Sequence, residues 1–153
     1  MPIAIVQERP DSPDAVQLIT ELDAHLAGYD YPQESCHGFS IDKLVREGVA
    51  FFVTHYDGQP AGCCGLKLFG TEYGEVKRMF VRPAYRGFGL GKAMLHHLAE
   101  YARERQVTVL RLETGIYQTE AIGLYERSGF QRRPPFGEYK DDPINIYFEK
   151  SLA

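Results

Sequence analysis

Cysteine is scarce in this chain, as are long apolar runs, linker-like segments and any large excess of charge. Each shortage removes a class of protein. There are three cysteines in 153 residues, an odd number. Cys63 and Cys64 are neighbours in a strand-like stretch, where successive side chains point to opposite faces. This spacing builds no disulfide framework, and with the five histidines it offers no metal-ligand pattern. No apolar run approaches the ~20 residues needed to cross a bilayer. The opening Met1-Pro2-Ile3-Ala4-Ile5-Val6-Gln7-Glu8 lacks the charged and apolar regions of a secretion signal. A reducing cytoplasm is the expected compartment, with no membrane partner. A net charge of −4 leaves no basic footprint for nucleic acid. No Pro/Gly/Ser-rich linker, composition shift or internal repeat divides the chain. Residues 1–153 are therefore expected to form a single domain with a sizeable core.

What is present is an alternation of strand and helix patterns. Ile3 to Gln7 reads as a first strand. Ser12-Pro13 is an N-cap with proline at the first helical position, and Val16, Ile19, Leu22 and Leu26 follow at helical spacing until Gly28. After an aromatic and polar loop from Tyr29 to Phe39, Ser40 caps a short helix closed by Gly48. Val49 to Tyr56, Ala61 to Phe69 and Tyr73 to Val81 read as three strands, the first two joined by a hairpin turn at Asp57-Gly58. Leu90 to Arg105 is a helix with Leu90, Met94, Leu98 and Tyr101 or Ala102 on one face. A strand at Val107 to Glu113 precedes a helix from Thr119 to Ser128, with Gly129 just past its end. Gln131 to Arg133 is short and ambiguous, and Ile144 to Leu152 is a last strand. From the pattern alone the class is mixed α/β, with one sheet and a meander in its middle.

The stretch Val81-Arg82-Pro83-Ala84-Tyr85-Arg86-Gly87-Phe88-Gly89-Leu90-Gly91-Lys92 joins a strand to a helix through alternate glycines. Bare N–H groups at a helix N-terminus, with the positive end of the helix dipole behind them, form an anion site suited to phosphate or pyrophosphate. Two common phosphate loops are excluded by spacing. A P-loop would need glycine where Arg86 stands and a hydroxyl where Ala93 stands. A dinucleotide fingerprint would need glycine at Lys92. Lys77, Arg78, Arg82, Arg86 and Lys92 recur nearby, a local basic rim that suits a small polyphosphate.

The pattern that does match is Arg/Gln-x-x-Gly-x-Gly/Ala, as Arg86-Gly87-Phe88-Gly89-Leu90-Gly91. A second signature, Ala121-Ile122-Gly123-Leu124-Tyr125-Glu126-Arg127-Ser128-Gly129-Phe130, ends in Tyr-x-x-x-Gly-Phe. With both motifs, the chain resembles the GNAT N-acetyltransferase superfamily from about Ile3 to its C-terminus. The resemblance implies a mixed α+β fold with a central, mostly antiparallel sheet of six to seven strands flanked by four helices. The sheet would splay between the strand at 73–81 and the strand at 107–113. It implies acetyl-CoA as acyl donor, no metal, a small-molecule or peptide amine as acceptor, and leaves room for a homodimer.

The same resemblance assigns roles to residues. The backbone of Arg86, Gly87, Phe88, Gly89, Leu90, Gly91 and Lys92 would cradle the pyrophosphate. Met79, Phe80 and Val81 would pair with the pantetheine arm, with the Met79 amide facing the thioester oxygen as an oxyanion-type donor. Gln118 stands where the family often has an Asn that contacts the arm. Tyr125 matches the general acid that protonates the leaving thiolate. As base, Glu75 matches the strand glutamate used by some members. The alternation of a regular strand puts it on one face with Lys77, Met79 and Val81. Glu113, at the end of the next strand, competes for that role and would flank the acceptor. Acceptor contacts would come from Tyr29, Tyr31, Glu34, His37 and Phe39, and from the segment Pro134 to Asp142 that includes Phe136. A non-catalytic acyl-CoA-sensing module of the same fold is the alternative function.

Overall fold

Each strand-like run has a face rich in Val, Leu, Phe or Cys that must be covered, and covering them produces one twisted sheet between helices. The computed structural model describes residues 2–29 and 40–153. The strands are β1 (Ile3–Glu8), β2 (Ala50–Tyr56), β3 (Gln59–Phe69), β4 (Tyr73–Val81), β5 (Val109–Gly115), β6 (Gln131–Arg133) and β7 (Asn145–Ser151). The helices are α1 (Pro13–Ala27), α2 (Ile41–Arg46), α3 (Leu90–Glu104) and α4 (Thr119–Arg127), with a 3-10 turn at Pro83–Tyr85. The sheet has seven strands in the order β1-β2-β3-β4-β5-β7-β6. All neighbours are antiparallel except β4 and β5, which run parallel. This is the expected mixed, mostly antiparallel architecture with four flanking helices. No described helix is long and apolar enough to cross a membrane.

Helices cover both faces. On one, Met94, Leu98 and Ala102 of α3 and Tyr125 of α4 pack on Cys64, Leu66, Leu110, Leu112 and Phe148. On the other, Leu18, Ile19 and Leu22 of α1 and Leu44 of α2 pack on Phe51, Val53, Cys63 and Phe80. Cys63 and Cys64 thus face opposite ways, and both are free thiols. The local signals operate as expected. Ser12 Oγ accepts from the Ala15 N–H at 3.2 Å, and Ser40 Oγ accepts from the Lys43 N–H at 3.1 Å. Asp57 and Gly58 take φ of 50° and 80°, the mirror-image turn that matches strand twist in a tight hairpin. Gly129, at φ 91°, lets the Phe130 N–H reach back to the Tyr125 carbonyl at 3.0 Å and close α4. The ambiguous run Gln131 to Arg133 forms an edge strand that pairs with β7. The strand after α3 begins at Val109, later than expected, because the Val107 N–H is spent on the Ala102 carbonyl at 2.9 Å, closing the helix.

Two irregularities shape the site. First, β4 and β5 pair only at Gly74 with Leu110 and Glu75 with Arg111, then diverge. Second, β4 carries a bulge. Its ladder with β3 steps from Gly65–Lys77 to Cys63–Phe80, so Arg78 and Met79 together oppose Cys64. Arg78 takes a φ of 52°, a left-handed conformation that costs a non-glycine residue about 1–2 kcal/mol. Its guanidinium is anchored to Asp23 of α1. The bulge breaks the alternation expected of a regular strand. Val76, Met79 and Val81 join the α3/α4 core, whereas Phe80 joins the α1/α2 core and Lys77 bonds to Tyr139. Glu75 and Lys77 therefore do not share a face with Met79 and Val81.

Candidate active site

Where β4 and β5 part, the C-terminal half of β4 has an edge without a strand neighbour, and a cavity of about 710 Å³ opens beside it. Met79, Phe80 and Val81 line it from β4. Arg86, Gly87, Gly89, Leu90, Gly91 and Lys92 line it from the loop and the start of α3. Gln118, Leu124 and Tyr125 line it from α4 and its approach. Of the expected cofactor residues, Phe88 alone is not in this wall. Its side chain is half exposed and lies against Tyr56, with centroids 5.1 Å apart.

The glycines do different work. Gly87 and Gly89 have φ of 87° and 80°, and a Cβ at either would meet nothing within 4 Å. Their backbones are bare towards the cavity, and Gly89 is the N-cap of α3, which has no side-chain cap and no acid in its first turn. The free N–H groups there form a cradle for an anion. Gly91 serves packing instead. A Cβ on it would lie 2.7 Å from Leu124 Cδ2, so its absence lets α3 and α4 approach. Arg86 is fixed behind the loop by its own Nε donating to the Val81 carbonyl at 3.2 Å and by Glu120 at 3.1 Å. The expected basic rim is largely neutralised. Arg82 is held by both carboxylate oxygens of Glu21 at 2.8 and 2.7 Å, Arg78 by Asp23 and Lys77 by Glu75.

Tyr125 sits at the inner wall, buried edge-on against Phe130 with centroids 5.8 Å apart and close to Phe148. Burial, then the nearby Cys64 and Glu113, push its phenol well above its ordinary value, so the proton stays on the ring oxygen.

The two candidate bases have different surroundings. Glu75 is buried, and its Oε2 accepts from Tyr139 Oη at 2.5 Å and from Lys77 Nζ at 2.8 Å. Lys77 Nζ also donates to Tyr139 Oη at 2.9 Å, closing a three-membered network. Burial pulls the Lys77 ammonium down, against the raising effect of Glu75 and Glu113. Glu113 is half-buried on β5, and among the described residues neither an ion pair nor a hydrogen bond engages it in the same way. Burial pushes its carboxyl up from 4.5 to about 7; Lys77 opposes the rise, and Glu75 and Asp142 add to it. Its charge is felt by Tyr125 on one side of the sheet and by Lys77, Tyr139 and Tyr147 on the other. Glu113 follows Arg111, the last β5 residue laddered to β4, by two residues and stands opposite Tyr147 of β7, so it lies in the opening splay without itself lining the cavity.

Among the expected acceptor residues, Tyr29 lines the cavity, its hydroxyl 3.4 Å from His25 Nε2. Tyr31, Glu34, His37 and Phe39 lie outside the described residues. Phe136 is buried in an aromatic cluster with Tyr73 and Tyr147, against which Tyr139 packs. It supports the Tyr139 network and does not line the cavity. Sequence reasoning missed Leu22 and His25, which line the cavity from α1 together with Tyr29. Part of the signal was there, since Leu22 and His25 are spaced at i and i+3 on one face of α1, with Tyr29 just past its end. Apart from this site, Glu8, Asp14 and His55 bring three ligand-type atoms within 4.8 Å of one another. Ser12 Oγ already donates to Glu8 at 2.6 Å, and His55 lies 3.7 Å from Asp14, a capping network at the start of α1.

The sequence profile of the Acetyltransferase (GNAT) family matches residues 15–130. The chain is 42% identical over 152 residues to a protein of Azospirillum brasilense named IAA acetyltransferase, covering 98% of both. Among solved structures, a Klebsiella pneumoniae chain provisionally described as an acyl-CoA N-acyltransferase superposes with a TM-score of 0.84. It is 34% identical, with 99% of this chain and 98% of that one covered. The PaiA N-acetyltransferase of Thermoplasma acidophilum, crystallised in complex with coenzyme A, shares the fold at a TM-score of 0.79 and 19% identity, with 99% of each chain covered.

Proposed function

The chain belongs to the acetyltransferase (GNAT) family and is an acetyl-CoA-dependent N-acetyltransferase; on that premise we propose that Tyr125 and Glu113 are its acid and base and that its acceptor is a small-molecule amine. The residues fit the donor. The cavity is large enough for an extended ligand, and a bare glycine cradle stands at the mouth of α3, where a Cβ would fill open space. Bound there, acetyl-CoA supplies an acyl group already activated as a thioester.

The rest is work for the chain's own groups. The amides of Arg86 to Lys92 bind phosphate, and the open edge at Met79 to Val81 offers main-chain partners to an extended arm. The bulge takes Arg78 and Met79 out of the ladder, which supports the Met79 N–H as the oxyanion-type donor. Tyr125 holds its proton on Oη within the cavity wall and can donate it, through a hydrogen bond, to the coenzyme A thiolate as the C–S bond breaks, since the burial that raises the phenol also raises the proton affinity of a thiolate formed beside it. Glu113, with its carboxyl at about 7, is ionised in part at neutral pH and can take a proton from an ammonium. Glu75, already ion-paired to Lys77 and hydrogen-bonded by Tyr139, is better suited to fixing the charge around Glu113 than to accepting a proton itself. The acidic pair and the tyrosines around it suit a cationic amine. Buried, unpaired Cys63 and Cys64 suit a reducing cytoplasm.

The observation that carries this reading is the placement of Glu113 on β5 two residues past Arg111, where the β4–β5 ladder has ended and the splay that holds the cavity has opened, with Tyr125 in the cavity wall. The test is coenzyme A thiol release from acetyl-CoA against a panel of amines, followed by single-turnover kinetics of Tyr125→Phe with the best acceptor. Loss of a general acid costs about 10²–10⁴-fold in rate, with coenzyme A affinity unchanged because the ring remains. Parental turnover by Tyr125→Phe would leave the tyrosine a packing residue only.

A further inference from the structure

Of the cations near the cavity, most are spoken for. Lys77, Arg78, Arg82 and Arg86 each have a carboxylate partner. Two others line the cavity without an ion pair or hydrogen bond among the described residues: Lys92 in the first turn of α3 and Arg127 in the last turn of α4. Neither position is explained by its own helix. A cation in the first turn opposes the helix dipole, and α3 has no acidic residue in that turn to offset Lys92. A cation in the last turn complements the dipole, but that requires only charge at the terminus. Arg127 instead folds back along α4 onto Gly123, where a Cβ would lie 2.8 Å from its Nη1. Glycine in a helix interior costs about 1 kcal/mol relative to alanine. Here it leaves the hollow in which the guanidinium rests beside the cavity.

We propose that Arg127, seated in the hollow at Gly123 and aided by Lys92, binds the 3′-phosphate of coenzyme A and makes the enzyme discriminate against donors that lack it. This rests on the coenzyme A reading above. The charge accounting supports it. Coenzyme A carries two separate phosphate centres, a pyrophosphate and a 3′-phosphomonoester, and the glycine cradle provides for one. Gly91 brings α3 against Leu124, one helical turn before Arg127, so the two unpaired cations stand at the same α3–α4 seam. A guanidinium pairs with a phosphomonoester through two parallel N–H donors.

The test is calorimetric titration of the whole chain with coenzyme A and with dephospho-coenzyme A. The parent should bind coenzyme A roughly tenfold tighter, the size of a single charge-assisted contact at a partly exposed site. Arg127→Gln should bring that ratio to about twofold, with dephospho-coenzyme A affinity unchanged. Gly123→Ala should act in the same direction, because its methyl displaces the guanidinium, while the helix gains stability. Two results overturn the proposal: an unchanged ratio in Arg127→Gln, or an equal loss for both ligands, which would assign Arg127 to the pyrophosphate. If the parent binds neither ligand, the donor reading itself fails and this proposal with it.

Discussion

The role of base proposed for Glu113 comes with a thermodynamic cost. Its carboxyl is raised from 4.5 to about 7 chiefly by burial, so between those pH values the folded chain holds a proton that the unfolded chain releases. The stability this confers is full below about 4.5 and is lost as pH rises through about 7. The loss amounts to about 2–3 kcal/mol after discounting for partial exposure. A neutral amide does not titrate. Glu113→Gln is expected to match the parent in denaturant melts at pH 4 and to exceed it at pH 8. It should also lose the acidic limb of its rate profile. A stability difference that ignores pH, or an acidic limb that survives in Glu113→Gln, would remove the base from this position. Tyr125 shows the complementary case, since burial keeps the proton on the phenol proposed as the acid.

At the scale of elements, the loop between β4 and α3 uses its glycines for unlike purposes, and substitutions should separate them. Gly91 touches Leu124, and a larger side chain must push α4 away. Gly91→Val is therefore expected to destabilise by about 1–3 kcal/mol, as overpacking does, measured by urea unfolding. Gly89 has open space around it but a φ of 80°. Gly89→Val acts through backbone strain and through filling the cradle, so coenzyme A affinity in calorimetry should fall at least tenfold. Parental affinity in Gly89→Val would mean that the loop is not the phosphate site. The bulge in β4 belongs to the same scale. One extra residue turns Met79 out of register and moves Glu75 and Lys77 to the opposite face, so donor contacts and the buried ion pair occupy different sides of one strand.

At the scale of the whole molecule, the splay makes one cavity whose walls come from α1, β4, α3 and α4. A ligand that fills it bridges α1, β4, α3 and α4 beside a β4–β5 ladder only two residue pairs long. Coenzyme A at one hundred times its Kd should add about 2.7 kcal/mol, which for about 150 residues is roughly 5–10 °C in Tm. Calorimetric scans with and without the ligand check this. A Tm that does not move at saturating coenzyme A would show that the cavity is not its site.

Much of this was legible in the sequence because it is local. The helix caps at Ser12 and Ser40, the tight turn at Asp57-Gly58, the apolar stripe of α3 and the glycine cradle depend on neighbours a few residues away, and side-chain type alone determined them. The two motifs also determined that the cradle and Tyr125 would share a site, through the family they resemble. What only the tertiary structure decided are matters of long-range contact. Arginine has no preference for a left-handed φ, so nothing local announces the bulge at Arg78; it exists because Asp23 and the β3 ladder hold it. The choice between Glu75 and Glu113 turns on Tyr139, 64 residues from Glu75 in the chain. The different purpose of Gly91 turns on Leu124. Burial and its compensation are properties of the assembled core: both glutamates are taken from water, and the Lys77 and Tyr139 partners that meet Glu75 but not Glu113 separate two residues that are chemically identical in the sequence.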